Sequence, residues 1–143
     1  MSDCLICERV GLARQGRNPY VIAEMKHSYF VVGDHQFHEG YALVLLKEHV
    51  REPFELSPDV QREHFTEVMR AATAIQATFH PWKLNYSCYG NAEPHVHWHI
   101  VPRYEHDPHP GKDPWQDIAR FSERSITAEQ ALEIATRVRA NLA

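Results

Sequence analysis

Residues 95 to 101 read His-Val-His-Trp-His-Ile-Val, an alternation that constrains the fold more than any other stretch. Side chains two apart on a β-strand share a face. As a strand, the stretch puts His95, His97 and His99 on one side and Val96, Trp98 and Ile100 on the other. On a helix the same residues would smear over a wide arc. The β-branched and aromatic members favour the strand, and Pro102 is expected to end it. The chain must therefore supply a core for the apolar row and a use for the histidine row. One histidine could sit on the solvated face of an edge strand. Three in register ask for more, because imidazole is the usual metal ligand and the usual acid, base or nucleophile near neutral pH.

The rest of the chain supplies partners for that strand. Tyr20 to Glu24 and Tyr29 to Val32 are short β-rich runs that pair as a hairpin. Gly33 to Gly40 reads as a loop. Tyr41 to Leu46 is nearly all apolar, as a central strand covered on both faces should be. Ser57-Pro58-Asp59 starts a helix with a cap, a first-position proline and an early acid. Phe65, Val68, Ala72, Ile75 and Phe79 then form one apolar stripe on a helix of about six turns, which ends before Pro81. Lys83 to Tyr89 is a further strand, followed by Gly90-Asn91 and the turn Ala92-Glu93-Pro94. Four prolines punctuate a loop over residues 102–115 that should lie outside the sheet. A second helix over 127–142 opens with a Thr127–Gln130 capping box and carries the stripe Leu132, Ala135, Val138 and Leu142. No linker divides residues 1–143. The expectation is one α+β domain, an antiparallel sheet with a long helix across it and a C-terminal helix.

The net charge is −4, with no basic run. This argues against nucleic acid as a bulk partner and leaves room for a small phosphate ligand. No stretch approaches the roughly 20 apolar residues of a membrane span. The N-terminal MSDCLICERV lacks a basic-then-apolar leader pattern. Three cysteines do not make a disulfide framework. Together these give a cytoplasmic expectation. Several of the 11 histidines, among them His35, His38, His106 and His109, fall in loops and need no role.

Three constellations carry chemistry. Cys4-x-x-Cys7, which runs into a polar loop, is open to several readings: two surface or buried thiols, a redox pair, or half of a zinc site. A structural zinc needs four ligands, and His49 and His95 are candidates for the other two. The histidine row could serve a zinc hydrolase, with Glu93 or Glu105 as the nearby acid. Alternatively its middle imidazole attacks phosphorus, forming a phosphoramidate that water resolves, while a neighbouring histidine donates to the leaving oxygen. In Tyr86-Ser87-Cys88-Tyr89-Gly90-Asn91, Gly90 permits close backbone approach, and Ser87 and Asn91 offer neutral groups to a phosphate. An ordinary hairpin turn explains the same residues equally well. Cys88 and Trp98 read as packing residues.

The pattern His95-Val96-His97-Trp98-His99-Ile100-Val101 resembles the signature of the histidine triad (HIT) family of nucleotide hydrolases and transferases. Pro102-Arg103-Tyr104, Leu84-Asn85-Tyr86, Lys47-Glu48-His49-Val50, Val31-Val32-Gly33-Asp34 and Cys4-x-x-Cys7 extend the likeness over about residues 4–104. It is similar to the bacterial, diadenosine tetraphosphate hydrolase-like branch. The resemblance implies a five-stranded antiparallel sheet with a long helix, usually in a homodimer meeting through the long helix and the Lys83–Tyr89 strand. It implies that His97 is the nucleophile taking the α-phosphoryl group and that His99 bonds the phosphate or the leaving oxygen. Asp34 matches the acid that holds the ribose hydroxyls, and Asn91 a polar phosphate contact. Zinc-bearing members hold the metal with residues matching Cys4, Cys7, His49 and His95, a whole four-ligand set.

Two features depart from that pattern. Many members carry a fourth histidine in a Gly-His-x-Leu-Val segment, which here reads Gly40-Tyr41-Ala42-Leu43-Val44. Tyr41 can donate a hydrogen bond but cannot become a cation near neutral pH. The loop before the triad, which grips phosphate, is shorter than in the common nucleoside-phosphoramidate hydrolases. The function implied is cleavage or transfer of a nucleotidyl group at His97, with a dinucleoside polyphosphate as the favoured substrate. The alternative is a zinc-stabilised nucleotide-binding or interaction protein with weak or no catalysis.

Overall fold

The computed structural model describes residues 3–143; Met1 and Ser2, the start of the N-terminal stretch read above, lie outside it. The elements are α1 (Leu5–Arg14), β1 (Val21–Glu24), β2 (Ser28–Val32), β3 (Ala42–Leu46), α2 (Pro58–Phe79), β4 (Lys83–Ser87), β5 (His97–Arg103) and α3 (Ala128–Arg139). A short 3-10 turn spans Pro53–Glu55, and a longer 3-10 segment, kinked at Asp117, spans Pro114–Arg124. The strands form one antiparallel sheet in the order β1-β2-β3-β5-β4. Among the described residues no helix is long and apolar enough to cross a membrane.

Alternation sorts the strand residues onto two faces. Phe30 and Val32 of β2, Ala42 and Val44 of β3 and Ile100 of β5 pack on one side with Val68, Ala71, Ala72 and Ile75 of α2 and Ala135 and Val138 of α3. Tyr29, Val31, Leu43, Leu45 and Val101 point to the other side, where Ile6 and Val10 of α1 cover them. β2 and β3 are buried at every position, which is why they read as continuous apolar runs. Both long helices begin as their caps predict. Ser57 Oγ accepts the Val60 N–H, and Thr127 and Gln130 bond reciprocally. α2 stops at His80, which takes the left-handed conformation with φ 51° ahead of Pro81.

Several expectations need correction. The polar loop after Cys4-x-x-Cys7 begins only past Arg14; the stretch before it, Leu5–Arg14, is a helix that the sequence reading left unassigned. β5 starts only at His97, so His95 lies ahead of the strand, and it runs through Pro102 to Arg103. Pro102 is tolerated because β3 ends opposite Ile100, leaving a neighbour on one side only. β4 stops at Ser87, short of Tyr89. In the helical stripes, Phe65 (51% exposed) and Leu132 (54% exposed) face outward. Ala71, Ala74 and Ala131, outside the stripes read from the sequence, are buried instead.

A buried polar chain pins β5 to α2. The Trp98 indole N–H donates to His64 Nε2 at 3.1 Å, and the other His64 ring nitrogen lies 2.9 Å from Ser28 Oγ. Glu67 beside it accepts the His27 backbone N–H at 2.9 Å. Tyr41 is held as tightly on the opposite face. A Cβ on Gly33 would land inside the Tyr41 ring, whereas one on Gly111 would meet nothing. Gly33→Ala is therefore expected to lower the unfolding free energy by about 1–3 kcal/mol, the usual cost of overpacking. Gly111→Ala should leave it unchanged; urea denaturation of both variants checks this.

Candidate active site and metal centre

Two backbone carbonyls give neighbouring histidines opposite assignments. A carbonyl oxygen only accepts, so the ring nitrogen facing it must carry the proton. His95 is fully buried, and its Nε2–H donates to the Leu46 carbonyl at 2.7 Å. Its Nδ1 lone pair is left pointing at the two cysteines. His97 does the reverse: its Nδ1–H donates to the His95 carbonyl at 2.6 Å, leaving the lone pair on Nε2. Burial lowers the pKa of His95, keeping the ring neutral and its lone pair free.

Cys4, Cys7, His49 and His95 converge on one point, each offering an atom within 4.8 Å of all the others. Cys7 Sγ lies 3.2 Å from His49 Nδ1 and 3.4 Å from His95 Nδ1; Cys4 Sγ is 3.4 Å from His95 Nδ1. The two imidazole Nδ1 atoms are 3.0 Å apart. A tetrahedral zinc ion bonded at about 2.0–2.1 Å to nitrogen and 2.3 Å to sulfur separates its ligands by about 3.3–3.8 Å. The observed spacings lie close to that range, and the Cys2His2 donor set is that of a closed structural site. The unforeseen helix makes the convergence possible. Cys4 caps α1 and its sulfur accepts the Cys7 N–H at 3.3 Å, while Glu93 takes the Leu5 N–H at 2.7 Å. The helix start is thereby tied to the turn before the histidines.

His99 stands two residues beyond His97 on the same face, opposite Leu43 of β3 and Ser87 of β4. Its Nδ1 lies 2.7 Å from the Tyr41 hydroxyl. Phenol is a far stronger acid than neutral imidazole, so Tyr41 donates and His99 carries its proton on Nε2. Burial raises the Tyr41 pKa, so the phenol stays protonated. Burial, with smaller contributions from His97 and His35, lowers that of His99 to about 4. The pair at the site is thus a His97 with a free Nε2 lone pair beside a neutral His99 that donates from Nε2. Tyr41 is buried and acts through His99, as a positioning residue rather than one lining an open cleft. Trp115 packs edge-on to His99 at 4.9 Å between ring centroids.

The remaining residues singled out in the sequence are spread around this pair. Asp34 is at the rim of a cavity of about 270 Å³ between α1 and β2, where Arg9 bonds it at 3.1 Å. Ser87 is directly across from His99 on β4. Asn91 is exposed in the loop before the histidines. Cys88 is half-buried, and burial raises its thiol pKa, consistent with a packing role. Trp98 is half-buried with its indole committed to His64. Sequence reasoning missed Trp115. Asp113-Pro114 ahead of it is a cap followed by a first-position proline, and Asp113 does accept the Trp115 N–H at 3.0 Å. That signal was legible as a helical start inside the proline-rich stretch.

The sequence model of the HIT domain family matches residues 16–106. The Protein hit of Bacillus subtilis (strain 168) is 28% identical over 108 residues, spanning 71% of this chain and 72% of that protein. A histidine triad (HIT) protein from Sinorhizobium meliloti 1021 superposes with a TM-score of 0.75 over 91% of this chain and 94% of that one, at 21% identity. A Zn-bound histidine triad family protein from Mycobacterium smegmatis does so with a TM-score of 0.69 over 98% and 93%, at 23% identity. These structural likenesses speak to the fold, which has the same architecture throughout. With the family match spanning well over half of the sequence and the histidine row inside it, this chain belongs to the HIT domain family.

Proposed function

We propose that the protein is a nucleotide phosphohydrolase or nucleotidyl transferase. It acts at the α-phosphate of a nucleoside polyphosphate or phosphoramidate, with a dinucleoside polyphosphate as the favoured substrate. The observation that carries this reading is the His97 Nδ1–H bond to the His95 carbonyl, which leaves the Nε2 lone pair available. That lone pair attacks the α-phosphorus. A P–N bond forms as the bond to the leaving group breaks, and a polyphosphate departs as its anion. The cation created on the His97 ring is stabilised by the carbonyl already facing Nδ1. His99 donates a hydrogen bond from Nε2 to the leaving oxygen and, being neutral, does not repel that cation. Water then attacks phosphorus and loses a proton, the P–N bond breaks, and a nucleoside monophosphate and neutral His97 are restored. Another acceptor in place of water makes the reaction a transfer. The cavity between α1 and β2 takes the nucleoside, with Asp34 on the ribose hydroxyls. Ser87 and Asn91 contact phosphate.

Zinc held by Cys4, Cys7, His49 and His95 is structural in this reading. The set has no open position for a water, and the Zn-bound relative from Mycobacterium smegmatis supports the choice of metal. The ion ties α1 to the sheet beside the histidines. We further propose a cytoplasmic location, where thiols stay reduced, and a homodimer. The outer strand β4 leaves an edge open, and Trp82 and Tyr86 beside it are exposed, as an edge awaiting a second copy would be.

Three outcomes check these proposals. His97→Ala should reduce kcat on diadenosine tetraphosphate by about four orders of magnitude or more, as loss of a nucleophile does. Nucleotide affinity, by calorimetry, should change little. A nucleotidyl adduct on His97 should appear in wild-type protein by mass spectrometry after an acid-free quench; normal turnover by His97→Ala would sink the assignment. Protein purified without chelator should contain about one zinc per chain. Cys4→Ser should lose the metal and several degrees of thermal midpoint, which zinc-free but fully stable wild-type protein would contradict. Finally, the folded pKa of His99 is about 4 against an unfolded value of 6.5. Between those values the unfolded chain binds more protons, so His99 costs stability as pH falls through this window. Its NMR titration should show the neutral ring down to pH of about 5, and His99→Asn should flatten the decline in stability.

A further inference from the structure

The helix α1 serves three neighbours at once. Ile6 and Val10 pack into the core against β2 and β3. Leu5, Glu8, Arg9 and Leu12, spaced as one helix face, line the cavity of about 270 Å³ that reaches Asp34. Cys4 and Cys7, at its start, converge with His49 and His95 on the metal site. We propose that zinc at this site is a positioning element for nucleotide binding. It sets where α1 stands and, through Arg9, the ribose contact at Asp34. Bound zinc thereby tightens nucleotide binding, and bound nucleotide tightens zinc. The inference rests on the nucleoside assignment of the cavity made above and adds what controls its grip.

The first support is how α1 is fastened. Glu93 accepts the Leu5 N–H at 2.7 Å. Asn18 Nδ2 donates to the Arg9 carbonyl at 3.3 Å, and Asn18 Oδ1 accepts the Tyr20 N–H at 3.0 Å. Each is a single hydrogen bond, worth little net against water. Burial of Ile6 and Val10 holds the helix to the sheet, but apolar attraction has no direction and does not fix the helix along the sheet. A zinc ion bonded to α1, to His49 after β3 and to His95 ahead of β5 is both strong and directional. Of these fastenings it is the one that places the helix.

The second support is what the helix carries. The cavity is a slot with α1 on one side and Pro19, Tyr20 and Val31 among the residues on the other. Arg9, two residues past Cys7, donates from Nη2 to Asp34 Oδ2 at 3.1 Å. The guanidinium holds the carboxylate and leaves Oδ1 for a hydroxyl. A hydrogen bond weakens steeply once its length and angle depart from the favoured range. A small shift of α1 therefore reaches the ribose contact directly, through Arg9, and changes the width of the slot that takes the base.

The same geometry separates grip from chemistry. His97 Nδ1–H is held by the backbone carbonyl of His95, and His95 Nε2–H by the carbonyl of Leu46. Neither bond runs through α1 or uses a donor atom of the metal site. Loss of zinc thus moves a wall of the nucleoside cavity while His97 keeps its orientation, and the effect falls on affinity. Linkage requires the converse: a nucleotide that holds α1 in place raises the affinity for zinc by the same factor.

The test uses the full-length protein, zinc-loaded or stripped with a chelator. The probe is adenosine 5′-monophosphate, which is not turned over. Calorimetry should give a dissociation constant about tenfold higher for the stripped protein, and zinc should partition against a competing chelator about tenfold more tightly at saturating nucleotide. At saturating diadenosine tetraphosphate, kcat of the stripped protein should stay within about threefold of the loaded one. Where circular dichroism shows that stripping unfolds the chain, cobalt-loaded protein takes its place. Thiolate-bound Co²⁺ absorbs in the visible, and the nucleotide should shift that band by moving the ligands on α1. Equal nucleotide affinity with and without zinc, or an unshifted cobalt band at saturating nucleotide, overturns the coupling and leaves the proposed chemistry standing. So does a loss confined to kcat. Failure of the zinc-loaded protein to bind the nucleotide overturns the nucleoside assignment of the cavity and the coupling with it.

Discussion

Two hydrogen bonds to backbone carbonyls, Leu46 to His95 and His95 to His97, determine what the histidines can do. A neutral imidazole has one proton and one lone pair, on opposite sides of the ring. Fixing the proton therefore aims the lone pair. His95 is aimed at two thiols and a second imidazole; in His97, which is buried, the lone pair is left on Nε2. A single residue type at two positions two apart thus takes a ligand's orientation in one case and a nucleophile's in the other. The two demands are incompatible in one ring, because a lone pair bound to a metal cannot attack phosphorus.

The carbonyls hold their positions because of the sheet. β3 and β5 pair in the middle of it, and the β3 end at Leu46 continues into contacts that capture residues 95 and 96. The Leu46 N–H bonds the Val96 carbonyl at 3.2 Å, and the Val96 N–H bonds the Val50 carbonyl at 3.0 Å. On one face α2 and α3 press against the sheet through alanines; on the other, α1 covers β2 and β3 and carries both cysteines. The His95 imidazole is thus oriented by a strand that is itself packed on both sides, and His95 in turn orients His97. Burial has a second effect. It holds His99 neutral at physiological pH, so a donor stands beside His97 without a cation being placed there.

The segment after β5 and Tyr41 complete the surroundings of the histidines. Tyr41 occupies the place where the family pattern often has a further histidine, and its hydroxyl settles the tautomer of His99. Trp115 and Phe121, from the 3-10 segment, close over the same region through ring contacts with His99 and His35. Arg103 anchors the connecting turn from inside. A proline-rich stretch that would otherwise be surface loop becomes a wall of the site because one buried guanidinium satisfies two of its carbonyls, those of His109 and Lys112, and is neutralised by its Asp107. Arg103 is at the end of the very strand that carries His97 and His99, so the wall and these histidines share one support.

Much of this was legible in the chain itself. The period-2 row at His95–Ile100 called for a strand with chemistry on one side. The runs at 20–24, 29–32 and 41–46 supplied neighbours for it, and the caps at Ser57 and Thr127 started helices where helices begin. Covalent sequence carries such information because side-chain periodicity and capping are local. The four metal-site residues were also nameable, once the resemblance joined Cys4 and Cys7 to His49 and His95. Other features depended on contacts between residues far apart in sequence. The start of α1 is tied by Glu93, 88 residues away, as well as by its own cap, Cys4. Phe65 and Leu132 face outward while Ala71, Ala74 and Ala131 are buried. Trp115 reached His99 only because Arg103 drew the turn inward. The residue types and their spacing were determined by the sequence alone. Which nitrogen of each histidine holds the proton was decided only in the tertiary structure, because that depends on which oxygen the folded backbone brings within hydrogen-bonding distance.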